Sequence, residues 1–100
     1  NAMPAAIQIV RFRANADIDH DDVIAMNERF QREVVPQLTG LERREACVTG
    51  DGEWVLVLRY ASMELATAPP ADHGMEVAGL FMQMIDMSMM SATFQTVVSE

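Results

Sequence analysis

Five side chains in this 100-residue chain sit where their chemistry asks for an explanation. Arg11 and Arg59 each share a strand-like run with apolar neighbours, IQIVRFRA over 7–14 and EWVLVLRYA over 53–61. An arginine on such a face must be paired or wetted. The two could hold an anionic or carbonyl-bearing ligand. They could equally pair with Glu45, Glu53 or Asp86, or reach outward from a strand end. Trp54 and Tyr60, in the same run as Arg59, could stack on an aromatic ligand or anchor a core or an interface. His73, between Asp72 and Gly74, could act as a general base or ligand contact at a cavity mouth, or be a solvated loop histidine. Arg59 and His73 are thus the candidate catalytic residues, and Arg11, Trp54, Arg59 and Tyr60 the candidate ligand-binding ones.

The remaining motifs point away from chemistry. His20 lies among Asp17, Asp19, Asp21 and Asp22, a run that lacks the glycine and distal glutamate of a calcium loop and reads as helix capping. No metal site and no cofactor are expected. Met82, Met84, Met87, Met89 and Met90 could soften a pocket for a flat apolar ligand or fill an irregular core. Cys47, the only cysteine, reads as an inert packed thiol and excludes an intramolecular disulfide. Phosphate loop, nucleophile elbow and metal-binding helix motif are all missing from the sequence.

These residues are carried by a short series of elements. A first strand spans 7–14, with Val10 and Phe12 on one face and Ile7, Ile9, Arg11 and Arg13 on the other. Asp19 is placed to cap an amphipathic helix from about 20 to 34, whose stripe is Val23, Asn27, Phe30, Val34 and Leu38. Pro36 and Gly40 close it. LERREACVT (41–49) gives a faint second strand, Gly50-Asp51-Gly52 a turn, and 53–61 the clearest strand of the chain. Ser62 can cap a second helix from Met63, interrupted at Pro69-Pro70 and resumed over 75–86. A last strand covers 91–98. Residues 3–100 read as one domain, and Asn1-Ala2 as a cloning remnant before an initiator methionine.

Trp54, Leu56, Leu58 and Tyr60 face one way and Val55 and Val57 the other, so the central strand is apolar on both faces. Two helices of a split βαβ arrangement cover only one face. A second copy packed sheet against sheet is the economical cover, so a homodimer is expected. The net charge of −8 repels phosphate backbones and anionic membrane surfaces. No apolar run approaches the roughly 20 residues of a membrane span. Neither nucleic acid nor membrane is therefore an expected partner, and the single cysteine suits a cytoplasmic setting.

The run GDGEWVLVLRYASMELA, the helix AMNERFQREVVPQLTGL and the segment LFMQMID together resemble dimeric α/β-barrel proteins of the antibiotic-biosynthesis-monooxygenase-like group, in order and spacing over nearly the whole chain. The resemblance implies an α+β fold: a ferredoxin-like βαββαβ protomer, a four-stranded antiparallel sheet with two helices on one face, paired into a barrel. It also implies a cofactor-independent monooxygenase-like enzyme acting on a small hydrophobic or aromatic substrate. The alternative is a non-enzymatic, small-ligand-binding or stress-related homodimer. The haem-degrading relatives carry an asparagine on the first strand and a tryptophan and histidine in the second helix region. Here the first strand has no asparagine, and Trp54 opens the third strand instead. Only His73 could stand in for that histidine, so haem degradation is disfavoured.

Overall fold

Alternation with a period of two puts Trp54, Leu56, Leu58 and Tyr60 on one side of a strand, and a computed structural model buries all four. The structure describes residues 3–69 and 75–100. In chain order its elements are β1 (Ala6–Phe12), α1 (His20–Glu33), β2 (Leu41–Val48), β3 (Trp54–Tyr60), α2 (Met63–Ala66), α3 (Met75–Gln83) and β4 (Ser91–Thr96). The strands form one antiparallel sheet in the order β2-β3-β1-β4. Its register sets Phe12 opposite Trp54, Val10 opposite Leu56 and Gln8 opposite Leu58. The expected α+β, ferredoxin-like arrangement is what the chain adopts. No helix among the described residues is long and apolar enough to cross a membrane.

The helices lie against the Phe12–Trp54 face. Phe12 stacks on Trp54 at 5.8 Å and meets the edge of Phe81 from α3 at 5.7 Å, while Phe30 of α1 lies 5.4 Å from Phe81. Val23 is fully buried beneath α1. The start of α1 follows the capping expectation, because the Asp19 carboxylate accepts from the Asp21 amide at 3.1 Å. Ser62 does the same for α2, accepting from the Leu65 amide at 3.2 Å. The second helix resumes at Met75 as expected, but each of its two pieces ends early. α2 is a single turn that finishes at Ala66, before the prolines, where the Thr67 hydroxyl donates back to the Met63 carbonyl at 2.9 Å. Pro70 lies outside the described residues. α3 stops at Gln83 and not at Asp86, because strand pairing competes for the next residues. Ile85 bridges Ala14, and the Asp86 amide donates to the Arg13 carbonyl at 2.9 Å.

β2 is an edge strand, which explains its faint sequence signal: most of it is exposed on both sides. Its register shifts between Leu41 and Arg43, so Glu42 is bulged out. The connection into β2 turns on Gly40, which has φ +82°. A Cβ built there would lie 2.6 Å from Leu65 Cδ1 and 2.9 Å from Leu65 Cβ, so backbone conformation and docking of α2 both demand glycine. The Gly40 carbonyl also accepts from the Ala61 amide at 2.9 Å, which ties this corner to the end of β3. Replacing Gly40 by alanine should therefore cost more than the about 1–2 kcal/mol of left-handed strain alone. Urea unfolding would show this as a lower midpoint with an unchanged slope, and an unchanged midpoint would contradict it.

Candidate functional site

The helix-facing side chains of the sheet do not fill the space beneath the helices. Between them lies a cavity of about 370 Å³. Val10, Leu56 and Leu58 form its floor, and Gln8 and Tyr60 flank them. Phe30 of α1, Val34 at its C-cap and Ala78, Phe81 and Met82 of α3 make the opposite wall. The alternation that buries Leu56 and Leu58 also aims them here, and the helical spacing of Phe30 and Val34 brings both to one side of α1. Hydrocarbon dominates this lining. Its polar groups are Gln8, Arg44 and Tyr60.

Arg44 is the residue that sequence reasoning missed. It stands on β2 opposite Leu58, on the helix-facing side, and is 9% exposed. Asn27 and Gln31, one turn apart on α1, receive its guanidinium: Nη2 donates to Asn27 Oδ1 at 2.8 Å and Nη1 to Gln31 Oε1 at 3.1 Å. The guanidinium carbon sits 4.8 Å over the Phe30 ring, a cation–π contact. Nε is buried and makes no hydrogen bond. Among the described residues no carboxylate forms an ion pair with Arg44. Burial pushes its pKa down to about 10, so it is still a cation at neutral pH. Burial also raises the Tyr60 phenol above its ordinary value. Tyr60 is therefore a neutral hydroxyl at the cavity wall, able to donate or accept. A smaller recess of about 150 Å³, bounded by Thr39 and Leu65, shares Tyr60 and Leu38 with the main cavity.

The residues singled out from sequence separate into three groups. Tyr60 lines the cavity. Trp54 lies on the same face of the sheet but stacks on Phe12, with His20 tilted 6.0 Å away, and is not part of the cavity wall. Arg11 and Arg59 lie on the opposite face, which none of the described helices covers. Arg11 takes Glu53 at 3.7 Å, one of the pairings considered for it. Arg59 takes Glu42 at 3.3 Å and Glu100 at 2.6 Å, neither of which was among the expected partners. The hydrogen bond to Glu100 holds the Arg59 guanidinium above its ordinary pKa. These carboxylates relieve the direct opposition of Arg43 and Arg59 across β2 and β3, as does the Arg43–Glu45 pair at 2.8 Å. His73 lies outside the described residues.

Two further expectations are adjusted. Cys47 is exposed and not packed, because it sits on an edge strand and on the side of the sheet away from the helices. The methionines divide: Met82 and Met90 line the cavity, Met84 packs against the core, and Met87 and Met89 are exposed. Among the described residues no group of histidine, cysteine and carboxylate side chains could hold a metal ion.

No protein-family model and no curated protein matches the chain. Solved structures do. A conserved protein of unknown function from Bacteroides thetaiotaomicron VPI-5482, described as a possible oxidoreductase, superposes with a TM-score of 0.72 at 11% identity, over 96% of this chain and 100% of that one. The ActVA-Orf6 monooxygenase of Streptomyces coelicolor, in complex with nanaomycin D, gives 0.71 at 15% identity, over 97% and 90%. A dimeric protein of unknown function with a ferredoxin-like fold, from Bacteroides fragilis NCTC 9343, gives 0.66 at 12%, over 97% and 100%. At these identities the likeness is one of fold, and the chain has the ferredoxin-like α+β fold that its sequence leads one to expect.

Proposed function

We propose that the protein is a homodimer joined sheet to sheet. Each protomer holds a small, mainly apolar or aromatic ligand between sheet and helices, and acts on it as a cofactor-independent monooxygenase-like enzyme. The cavity of about 370 Å³ carries this reading, because apolar walls with a few polar groups are the composition of a small-molecule site. Two similar folds add support, one a monooxygenase with a bound ligand and one described as a possible oxidoreductase. In a cofactor-free oxygenation an electron-rich hydroxyarene itself reduces dioxygen. A ring C–H becomes a carbonyl, the phenol becomes the second carbonyl of a quinone, and the other oxygen atom leaves as water with the two hydrogens released. In this reading Gln8 and the neutral Tyr60 hydroxyl, both on the cavity wall, orient ring oxygens, and the hydrocarbon walls exclude bulk water.

The second reading is a non-enzymatic ligand-binding or stress-related homodimer. One observation favours it: the described wall of the cavity holds no carboxylate or histidine to take a proton. An oxygen electrode separates the two. With metal and flavin removed, dihydroxynaphthalenes should drive oxygen uptake by the wild-type protein, and Ala78→Phe, which fills the cavity from α3, should abolish it. Binding without any oxygen uptake would favour the second reading.

The dimer rests on the uncovered face of the sheet. Ile7 and Ile9 of β1 and Val55 and Val57 of β3 lie there side by side, only partly buried, with no helix over them. Similar folds of the dimeric kind support the same cover here. Light scattering should give twice the chain mass of 11.1 kDa. Val57→Glu should return the mass to one chain, since it sets a carboxylate in the centre of that contact. A wild-type monomer at all concentrations would defeat the proposal.

A further inference from the structure

The geometry points to a ligand that carries a carboxylate: we infer that the cavity takes an apolar ring acid whose carboxylate docks on Arg44. This rests on the reading of the cavity as a ligand site and names the class of molecule it selects. The cation is built in from both sides. Asn27 and Gln31 fix Nη2 and Nη1 at 2.8 and 3.1 Å, and Phe30 covers one face of the guanidinium plane. Both amide oxygens are neutral, so they orient the charge without cancelling it. Nε, buried within the protein, has no acceptor. Nη1 and Nη2 each use one N–H on these amides and keep a second, which a carboxylate can accept.

The energetics favour an anion over a neutral polar group. A cation on a residue only 9% exposed, with only amide partners, is costly, and a buried N–H without an acceptor adds to that cost. A carboxylate on the free N–H groups of Nη1 and Nη2 would supply the opposite charge that the two amides lack. The rest of the ligand must be apolar, because Val10, Leu56, Leu58 and Phe81 meet it. The cavity, about 370 Å³, is large enough for two fused rings. The protein's net charge of −8 does not oppose this, since most of that charge is on solvated side chains screened over about 8 Å in physiological salt.

Titration calorimetry with 2-naphthoate and its neutral analogue 2-naphthamide tests the inference. The wild-type protein should bind naphthoate about tenfold or more tightly than naphthamide, the margin of a charge-assisted hydrogen bond pair. Arg44→Met should remove that preference while naphthamide binding persists. Arg44→Gln provides a second neutral variant should the first not fold. Equal affinity of the two compounds for the wild-type protein would overturn the carboxylate assignment and leave the cavity reading standing. Binding of neither compound, with no effect of Ala78→Phe, would overturn the cavity reading itself.

Discussion

The sheet is apolar on both faces, and the chain's helices reach only one of them. On the covered side Phe12, Trp54, Leu56, Leu58 and Tyr60 meet Phe81 and Val23 in a single cluster. On the other side Ile7, Ile9, Val55 and Val57 are left partly exposed between Arg11, Arg59 and their carboxylates. Each exposed square ångström of that apolar strip forgoes about 25 cal/mol of burial. The ion pairs at its margins keep the rim soluble but do not cover the centre. A protomer of this design is incomplete in physical terms, and its incompleteness is confined to one flat surface.

The covered side has a different tension. Helix packing against a four-stranded sheet normally closes with large side chains from both layers. Here the α3 side offers Ala78 and the sheet offers Gln8 and Val10, and a cavity remains. Into its wall the chain brings a cation. Buried arginine is tolerated where its donors are met and its charge is spread, and Asn27, Gln31 and the Phe30 ring provide much of both. Apolar replacement of whole buried charge pairs is often neutral or favourable, but loss of Arg44 alone would leave the Asn27 and Gln31 amide oxygens without their donor. The cation and its two amide partners therefore act as one unit beside the cavity.

How much of this is legible in the sequence depends on whether the signal is periodic. The strand over 53–61 and the helix from His20 announce themselves because alternation and helical spacing are each unbroken there. The caps Asp19 and Ser62 and the turn glycine at 40 are equally local and equally readable. Arg44 is not. It belongs to ERREA, a polar run in which adjacent arginines must point to opposite faces, and the bulge at Glu42 resets which one points inward. Only pairing with β3 decides that Arg43 faces out and Arg44 faces in. The one available hint was Asn27, a polar residue inside the apolar stripe of α1, whose partner no sequence spacing could name. Arg11 and Arg59 drew notice for the converse reason. They share a face with valines and isoleucines, but that face is not the cavity's.

The two surfaces are not independent, because β1 and β3 supply both. Gln8 pairs with Leu58 and Val10 with Leu56 on the cavity side, while between them Ile9 pairs with Val57 on the uncovered side. Successive residues of the same two strands thus alternate between the cavity floor and the open face. A side chain on one face cannot shift its strand without moving its neighbours on the other, since the pleat couples them through a single backbone. Covering the strip from Ile7 to Val57 would therefore stiffen the floor on which Leu56 and Leu58 stand. It would also hold β2 against β3, and with it the register that turns Arg44 inward. In the proposed dimer the pairing of two sheets and the shaping of each cavity would be one structural event.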